Sequence, residues 1–324
     1  MSKPDPVQRA LERLGELRHA ALTDQVVTEI RNNLRNRSNL VVAKAANIAG
    51  ELRATAVVPD LVATFHKLMA DPSRLDKRCA ALTEIVTALY ELDSDDPEPY
   101  LVGLRHIQME GSFGPPVDAA AKLRGLSAQG LLRTRYPHAL DVVVRLLVDR
   151  EPEARVGAVK ALVTNGGEAG ILLLQLKTYT GDREPEVLGE CFTGLLAAAP
   201  ERSVSLVGQY VDASDEAVAE AAILALGESK NEQAFEVLKE KWRRTVGGEV
   251  RQILLVAMAC SRLESAISYL LAIVGDASPK TAAQAIEALA SYRSSERIRT
   301  LLQTIVRKRN ERGVNEAFAR HFPE

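Results

Sequence analysis

Small and aliphatic side chains recur along the chain at helical spacing, and the recurrence itself repeats. The stretch AVAEAAILALGES, residues 217–229, is apolar around most of a helix's circumference. Written V-x-x-x-A-[AI]-x-A-[LM]-[GA], its pattern also describes AKLRGLSAQGLL (121–132), ARVGAVKALVTN (154–165), VLGECFTGLLAA (187–198), VRQILLVAMACS (250–261) and TAAQAIEALASY (281–292). With the copy in the opening stretch counted from Val218, successive first residues lie 33, 33, 31, 32 and 31 positions apart. A helix apolar on most sides must be covered by neighbours. A fixed period of this length predicts stacked repeats, each covering the next. Small residues at pattern positions 5, 8 and 10 predict close approach between successive helices. VVAKAANIAGEL (41–52) fits well, while RCAALTEIVTAL (78–89) fits through Leu82, Ile85, Val86 and Leu89 alone.

A second amphipathic run precedes each copy: PHALDVVVRLLVD (137–149), AGILLLQLKTYT (169–180), RSVSLVGQYVD (202–212), EQAFEVLKEKWRR (232–244) and SAISYLLAIVGD (265–276). The joints DREPEA, GDREPE, DASDEA and GDASPK supply N-capping Asp and Ser and first-turn Pro. The unit is therefore a first helix, a tight turn, a second helix and a short turn. The longer step between the second and third copies falls in ELDSDDPEPY and EGSFGPP, turn-rich stretches that predict insertions. DPVQRALERLGELRHAAL near the N-terminus, with Asp5 as its cap, and SERIRTLLQTIVRKRN near the C-terminus predict polar end-capping helices.

This unit resembles a HEAT repeat, in particular the short bacterial kind of the phycobilin-lyase-like group. The carriers are Asp149 and Arg155 in an Asp-x-x-x-x-x-Arg turn, the pair Val250 and Arg251, and the run Ala225, Leu226, Gly227. The resemblance spans roughly residues 23–305 by pattern. It implies an all-α fold, a right-handed α-solenoid of about eight HEAT-like helical hairpins with terminal capping helices. The expected division is a capping helix over 1–22, the array over 23–294, and a capping helix and tail over 295–324.

Aromatic residues make up only 4% of the chain, which suits a core of closely packed helices. Cys79, Cys191 and Cys260 are far apart, lack a C-x-x-C spacing, and lie in apolar runs, so buried reduced thiols are expected. The opening residues lack a signal peptide's apolar core, no long apolar run predicts a membrane span, and a cytoplasmic location is expected. Net charge is -2 overall but uneven: +1 over residues 1–136, -9 over 137–238 and +6 over 239–324.

Sequence patterns for zincins, phosphate loops, nucleophile elbows and C-x-x-C pairs do not occur. His19, His66, His106, His138 and His321 are scattered, and each suits an ordinary helical position. The acidic stretch with Asp93, Asp95 and Asp96 lacks the Gly and distal Glu of a calcium loop. GSFGPP (111–116) lacks a phosphate loop's Lys and predicts a flexible turn. These absences predict no enzyme, no cofactor and no metal.

Second helices of such arrays usually line a concave face, with pattern positions 4 and 7 outward. Those positions hold Lys44, Arg124, Gly157, Glu190, Ala221, Ile253 and Gln284, and Asn47, Ser127, Lys160, Thr193, Leu224, Val256 and Glu287. Two consecutive copies break the polar trend with Ala221, Leu224, Ile253 and Val256. Flanked by Glu190, Glu220 and Arg251, this apolar patch is either covered by the array itself or is the expected protein contact. A second candidate is basic: Lys241, Trp242, Arg243 and Arg244, with Arg307, Lys308, Arg309 and Arg312 further on. There an aromatic between cations could stack on a base, or Trp242 could simply close the end of an apolar helix face. The leading expectation is a non-catalytic scaffold for a protein partner. The alternatives are a bilin-lyase-like accessory enzyme, implied only by the resemblance, and nucleic-acid binding through the basic C-terminal part.

Overall fold

The computed structural model describes residues 5–111 and 114–323. The chain divides into two compact units, Met1–Leu173 and Leu174–Glu324. In the first unit the helices are α1 (Pro6–Leu17), α2 (Asp24–Leu34), α3 (Asn39–Glu51), α4 (Val58–Met69), the single turn α5 (Pro72–Leu75), α6 (Ala80–Glu91), α7 (Glu98–Gly103), α8 (Ala121–Arg133), α9 (Ala139–Val143) and α10 (Pro152–Asn165). The boundary between the units falls within α11 (Gly167–Thr180). The second unit continues with α12 (Pro185–Ala198), α13 (Pro200–Gly208), α14 (Glu216–Glu228), α15 (Glu232–Arg244), α16 (Glu249–Cys260), α17 (Glu264–Asp276), α18 (Pro279–Ala288), α19 (Glu296–Arg309) and α20 (Arg312–His321).

The fold is an all-α solenoid of stacked hairpins. In the first unit α2 packs on α3, α4 on α6 and α7 on α8, and α10 is covered by the 3-10 turn Val144–Val148 that extends α9. In the second unit the pairs are α13 with α14, α15 with α16, α17 with α18, and α19 with α20. The second helix of each hairpin packs on the second helix of the next: α3 on α6, α6 on α8 and α8 on α10 in one unit, and α12, α14, α16 and α18 in series in the other. These are the helices carrying the repeated pattern. Their small residues are buried at the contacts, as with Ala222, Ala225 and Gly227 in α14. A Cβ on Gly227 would lie 2.4 Å from the Ala257 carbonyl oxygen, so α14 and α16 meet backbone to backbone there.

Helix starts follow the joint chemistry. Asp5 accepts from Val7 N, Asp215 from Ala217 N and Val218 N, and Ser278 from Thr281 N. Pro152, Pro185 and Pro279 occupy first-turn positions, where a missing N–H costs nothing.

The structure departs from the sequence reading in four places. The stretch expected as insertion contains a short helix, α7, and a two-residue antiparallel ladder, β1 (Met109–Glu110) with β2 (Val117–Asp118). Of the turn expected over 111–116, Ser112 and Phe113 lie outside the described residues. The expected C-terminal tail holds α20, which packs on α18 and α19 and buries Val314 and Ala317. Cys260 is exposed, whereas Cys79 and Cys191 are buried as expected. Arg124, Ser127 and Gly157 are buried rather than outward-facing, because α8 and α10 approach more closely than the polar residue types suggest.

Arg124, 3% exposed, explains most of that last difference. Its Nη1 donates to Asp118 Oδ2 at 2.7 Å and to the His106 carbonyl at 2.9 Å. Its Nε and Nη2 donate to Asp149 Oδ2 and Oδ1 at 3.0 and 2.9 Å. Asp118 Oδ1 in turn accepts from the backbone N–H of Gln108 and Ala120. Burial pushes the Asp118 carboxyl up, but the Ala120 and Gln108 N–H groups and Arg124 outweigh it and hold the group below its ordinary value. Burial likewise lowers Arg124, and Asp149 and Asp118 more than reverse it. Arg155 Nη1 instead donates to the Asp149 and Arg150 carbonyls, so the Asp-to-Arg turn closes through the backbone.

Candidate functional site

In the second unit the apolar residues singled out by the pattern sit together on adjacent helices. Ala221 and Leu224 lie one turn apart on α14, and Ile253 and Val256 occupy the same positions on α16. Ala221, Leu224 and Ile253 are half-buried against the core, whereas Val256 is 39% exposed. The array therefore covers most of this patch itself and leaves an aliphatic strip at its surface. Glu220 is exposed beside it, and Glu190 on α12 is half-buried. Arg251 does not face the strip's edge: its guanidinium lies 3.6 Å from the Trp242 ring centroid, and Nη1 donates to the Thr245 carbonyl at 2.5 Å.

Next to the strip, between the N-terminal halves of α14 and α16, is a cleft of about 210 Å³. Its walls are the aliphatic side chains of Val211, Ala219, Ile223, Val250 and Ile253, with Ala213 in the entering loop. Its lip is charged. Lys241 Nζ donates to Asp212 Oδ1 at 2.6 Å, and Arg244 Nη2 donates to Asp212 Oδ2 at 3.2 Å. The Lys241 hydrogen bond, its charge and Arg244 together hold the Asp212 carboxyl below its usual range against a smaller desolvation. The other three carboxylates of the lip, Glu216, Glu220 and Glu249, are exposed and hold no ion pair among the described residues. Glu216 and Glu249 are the first residues of their helices, where negative charge suits the dipole. The sequence reading placed Glu220 and Ile253 at the apolar patch and Lys241 in the basic candidate, but did not join them or single out Asp212, Glu216 and Glu249. The available signal was an acidic first-turn residue in consecutive repeats, which alone looks like ordinary helix capping.

The basic candidate is not assembled into a free stacking platform. Trp242 is 6% exposed, with one face against the core and Arg251 over the ring, so it offers no surface to a base. Arg243 and Arg244 lie within 4.0 Å of Glu240, and Lys241 is taken by Asp212. Arg309 pairs with Glu311 and donates to the Val274 carbonyl, and Arg312 pairs with Glu316. Arg307 and Lys308 are exposed at the end of α19.

In the first unit a groove of about 360 Å³ lies beside the Arg124–Asp149 pair, lined by Tyr136, His138, Arg105 and Arg145 among others. His138 Nδ1 lies 3.1 Å from Asp141 Oδ2, and His66 Nε2 lies 3.0 Å from Glu98. Among the described residues no group of three or more His, Cys, Asp or Glu side chains is placed to hold a metal ion. Burial pushes the thiols of Cys79 and Cys191 up to about 12, far from nucleophile range. No helix of the described residues is long and apolar enough to cross a membrane.

Residues 172–259 match the family model for HEAT repeats. No curated protein matches the sequence. Among solved structures, an engineered protein is similar at 14% identity and a TM-score of 0.41, covering 100% of this chain and 97% of that one. Human deoxyhypusine hydroxylase in complex with glycerol is similar at 18% identity and a TM-score of 0.31, covering 80% of this chain and 91% of that one. The complex of CpcE and CpcF of phycocyanin lyase from Nostoc sp. is similar at 13% identity and a TM-score of 0.37, covering 88% of this chain and 96% of that one. Residues 172–259 are thus identified as HEAT repeats, and the helical hairpins observed over that stretch are the units the family describes.

Proposed function

We propose that the chain is a non-catalytic scaffold that binds a protein partner through the α14–α16 face of its second unit. The observation that carries this reading is the aliphatic strip of Leu224, Ile253 and Val256, left at the surface of a regular helical array beside an acid-lipped cleft. Apolar surface bounded by charge is the usual composition of a contact patch. Nucleic-acid binding loses its aromatic, since Trp242 is covered.

Affinity capture from native cells, at low and high salt, tests the proposal. The wild-type chain is expected to retain a stoichiometric protein at high salt, and Val256→Glu, a change at an exposed position, is expected to lose it with an unchanged melting temperature. Equal recovery by the two chains removes the strip as the contact. Recovery of nucleic acid alone, released at high salt, returns the choice to Arg307 and Lys308.

A further inference from the structure

The cleft between α14 and α16 combines an aliphatic floor with a carboxylate lip, a pairing that matches one kind of side chain. We propose that it receives a lysine or arginine side chain from the partner, on a segment whose adjoining aliphatic residues lie on the Ile253–Val256 strip. This rests on the protein-binding reading above and narrows it to a basic–aliphatic segment.

Four features of the cleft lead there. Its volume of about 210 Å³ suits a single long side chain, being below the range of small-molecule pockets. Val250 and Ile253, both half-buried, offer an apolar surface of the sort on which Lys and Arg lay their methylene stems while the charged head stays at the edge, with the buried Ile223 beneath them. At that edge Glu216 and Glu220 stand four residues apart on one helical face, where like charges repel. Glu249 faces the same cleft from α16, and none of the three has a cationic partner among the described residues.

The same geometry argues against other occupants. The carboxylates do not converge as a group able to hold a metal ion, so the charge is spread along a lip rather than focused on a point. A cation carried on an aliphatic stem spans such a lip. Lys241, the one basic residue in the lining, is already bound to Asp212 and does not cancel the lip. The surplus of acidic residues over 137–238, net -9, favours the approach of a basic segment.

Selection of a random nonapeptide display library on the full-length chain tests the proposal. The peptides recovered are expected to place Lys or Arg next to Leu, Ile or Val. Binding of a recovered peptide, synthesised and labelled, is expected to weaken about tenfold when its Lys or Arg is replaced by citrulline or Gln, the scale of one hydrogen-bonded charge contact. Glu220→Gln, which touches neither helix end, is expected to weaken it similarly, and the triple variant Glu216→Gln, Glu220→Gln, Glu249→Gln to abolish the basic enrichment. The melting temperature of each variant checks that it folds. Neutral or acidic peptides that are lost with Val256→Glu would overturn the cleft assignment while leaving the protein-binding face standing. An empty selection, or basic peptides held equally by the triple variant, would overturn it as well. Self-association that the triple variant abolishes would overturn it in favour of a second copy, whose Arg307 and Lys308 would then be the occupants.

Discussion

Arg124 shows how much one residue can decide in a repeat array. It joins β2, through Asp118, to the end of the following hairpin's first helix, through Asp149, with 3% of its surface exposed. Removing one member of a buried ion group leaves the others charged and unsatisfied, typically at about 3–5 kcal/mol. Arg124→Met, close in length but neutral, is therefore expected to lower stability by about that amount in denaturant titration, whereas an exposed change such as Arg150→Met is expected to stay within about 0.5 kcal/mol. Cysteine reactivity tests burial residue by residue. One thiol, Cys260, is expected to react with a thiol reagent in the native chain at neutral pH, and all three in denaturant; a second fast-reacting native thiol would contradict the burial of Cys79 and Cys191. Residue-level detail of this kind was only partly legible in the sequence. The Asp149-to-Arg155 spacing pointed correctly to a closed turn. The carboxylate's real partner lies one repeat earlier, and its identity depends on the distance between repeats, which local spacing does not contain. Trp242 was open to two readings because the residue that covers its ring, Arg251, comes from the following helix, α16, across a turn whose path the local spacing does not contain.

At the scale of elements, legibility followed periodicity. The second helices repeat every 31–33 residues, and the observed helices fall on the predicted segments to within a turn. What went unseen was short or aperiodic. The ladder of β1 and β2 has two residues per strand, and α20 offers few apolar positions over ten residues. The tightest helix contact can be tested by adding one carbon. A Cβ on Gly157 would stand 2.2 Å from the Gly125 Cα, backbone against backbone with no side chain to yield. In an isolated helix, Gly→Ala gains about 0.8–1 kcal/mol from propensity. Here α8 and α10 must separate to admit the methyl group, and overpacking of this kind costs about 1–3 kcal/mol or more. Gly157→Ala is expected to be destabilising on balance, and a rise in melting temperature would show that the two helices can part freely.

Within each of the two compact units the chain is an array in which each hairpin chiefly meets its neighbours. Stability in such arrays is a sum of repeat and nearest-neighbour terms rather than a property of one shared core. The Gly157→Ala variant makes this visible: amide exchange is expected to quicken in α8 and α10 and to stay at wild-type rates in α16 and α18. The candidate surface belongs to this scale too. Its strip was foreshadowed by two consecutive copies with aliphatic residues at normally polar positions. Its cleft was not, because the void exists only where the ends of α14, α15 and α16 come together. The covered indole has a consequence for anyone who sets out to unfold the molecule. Trp242 is the sole tryptophan, and it sits in a single hairpin under Arg251. Its emission is an optical reporter for α15 and α16 and is blind to the rest. A fluorescence midpoint will thus date the loss of one hairpin, and its separation from the midpoint seen by circular dichroism will measure how far the array departs from all-or-none melting.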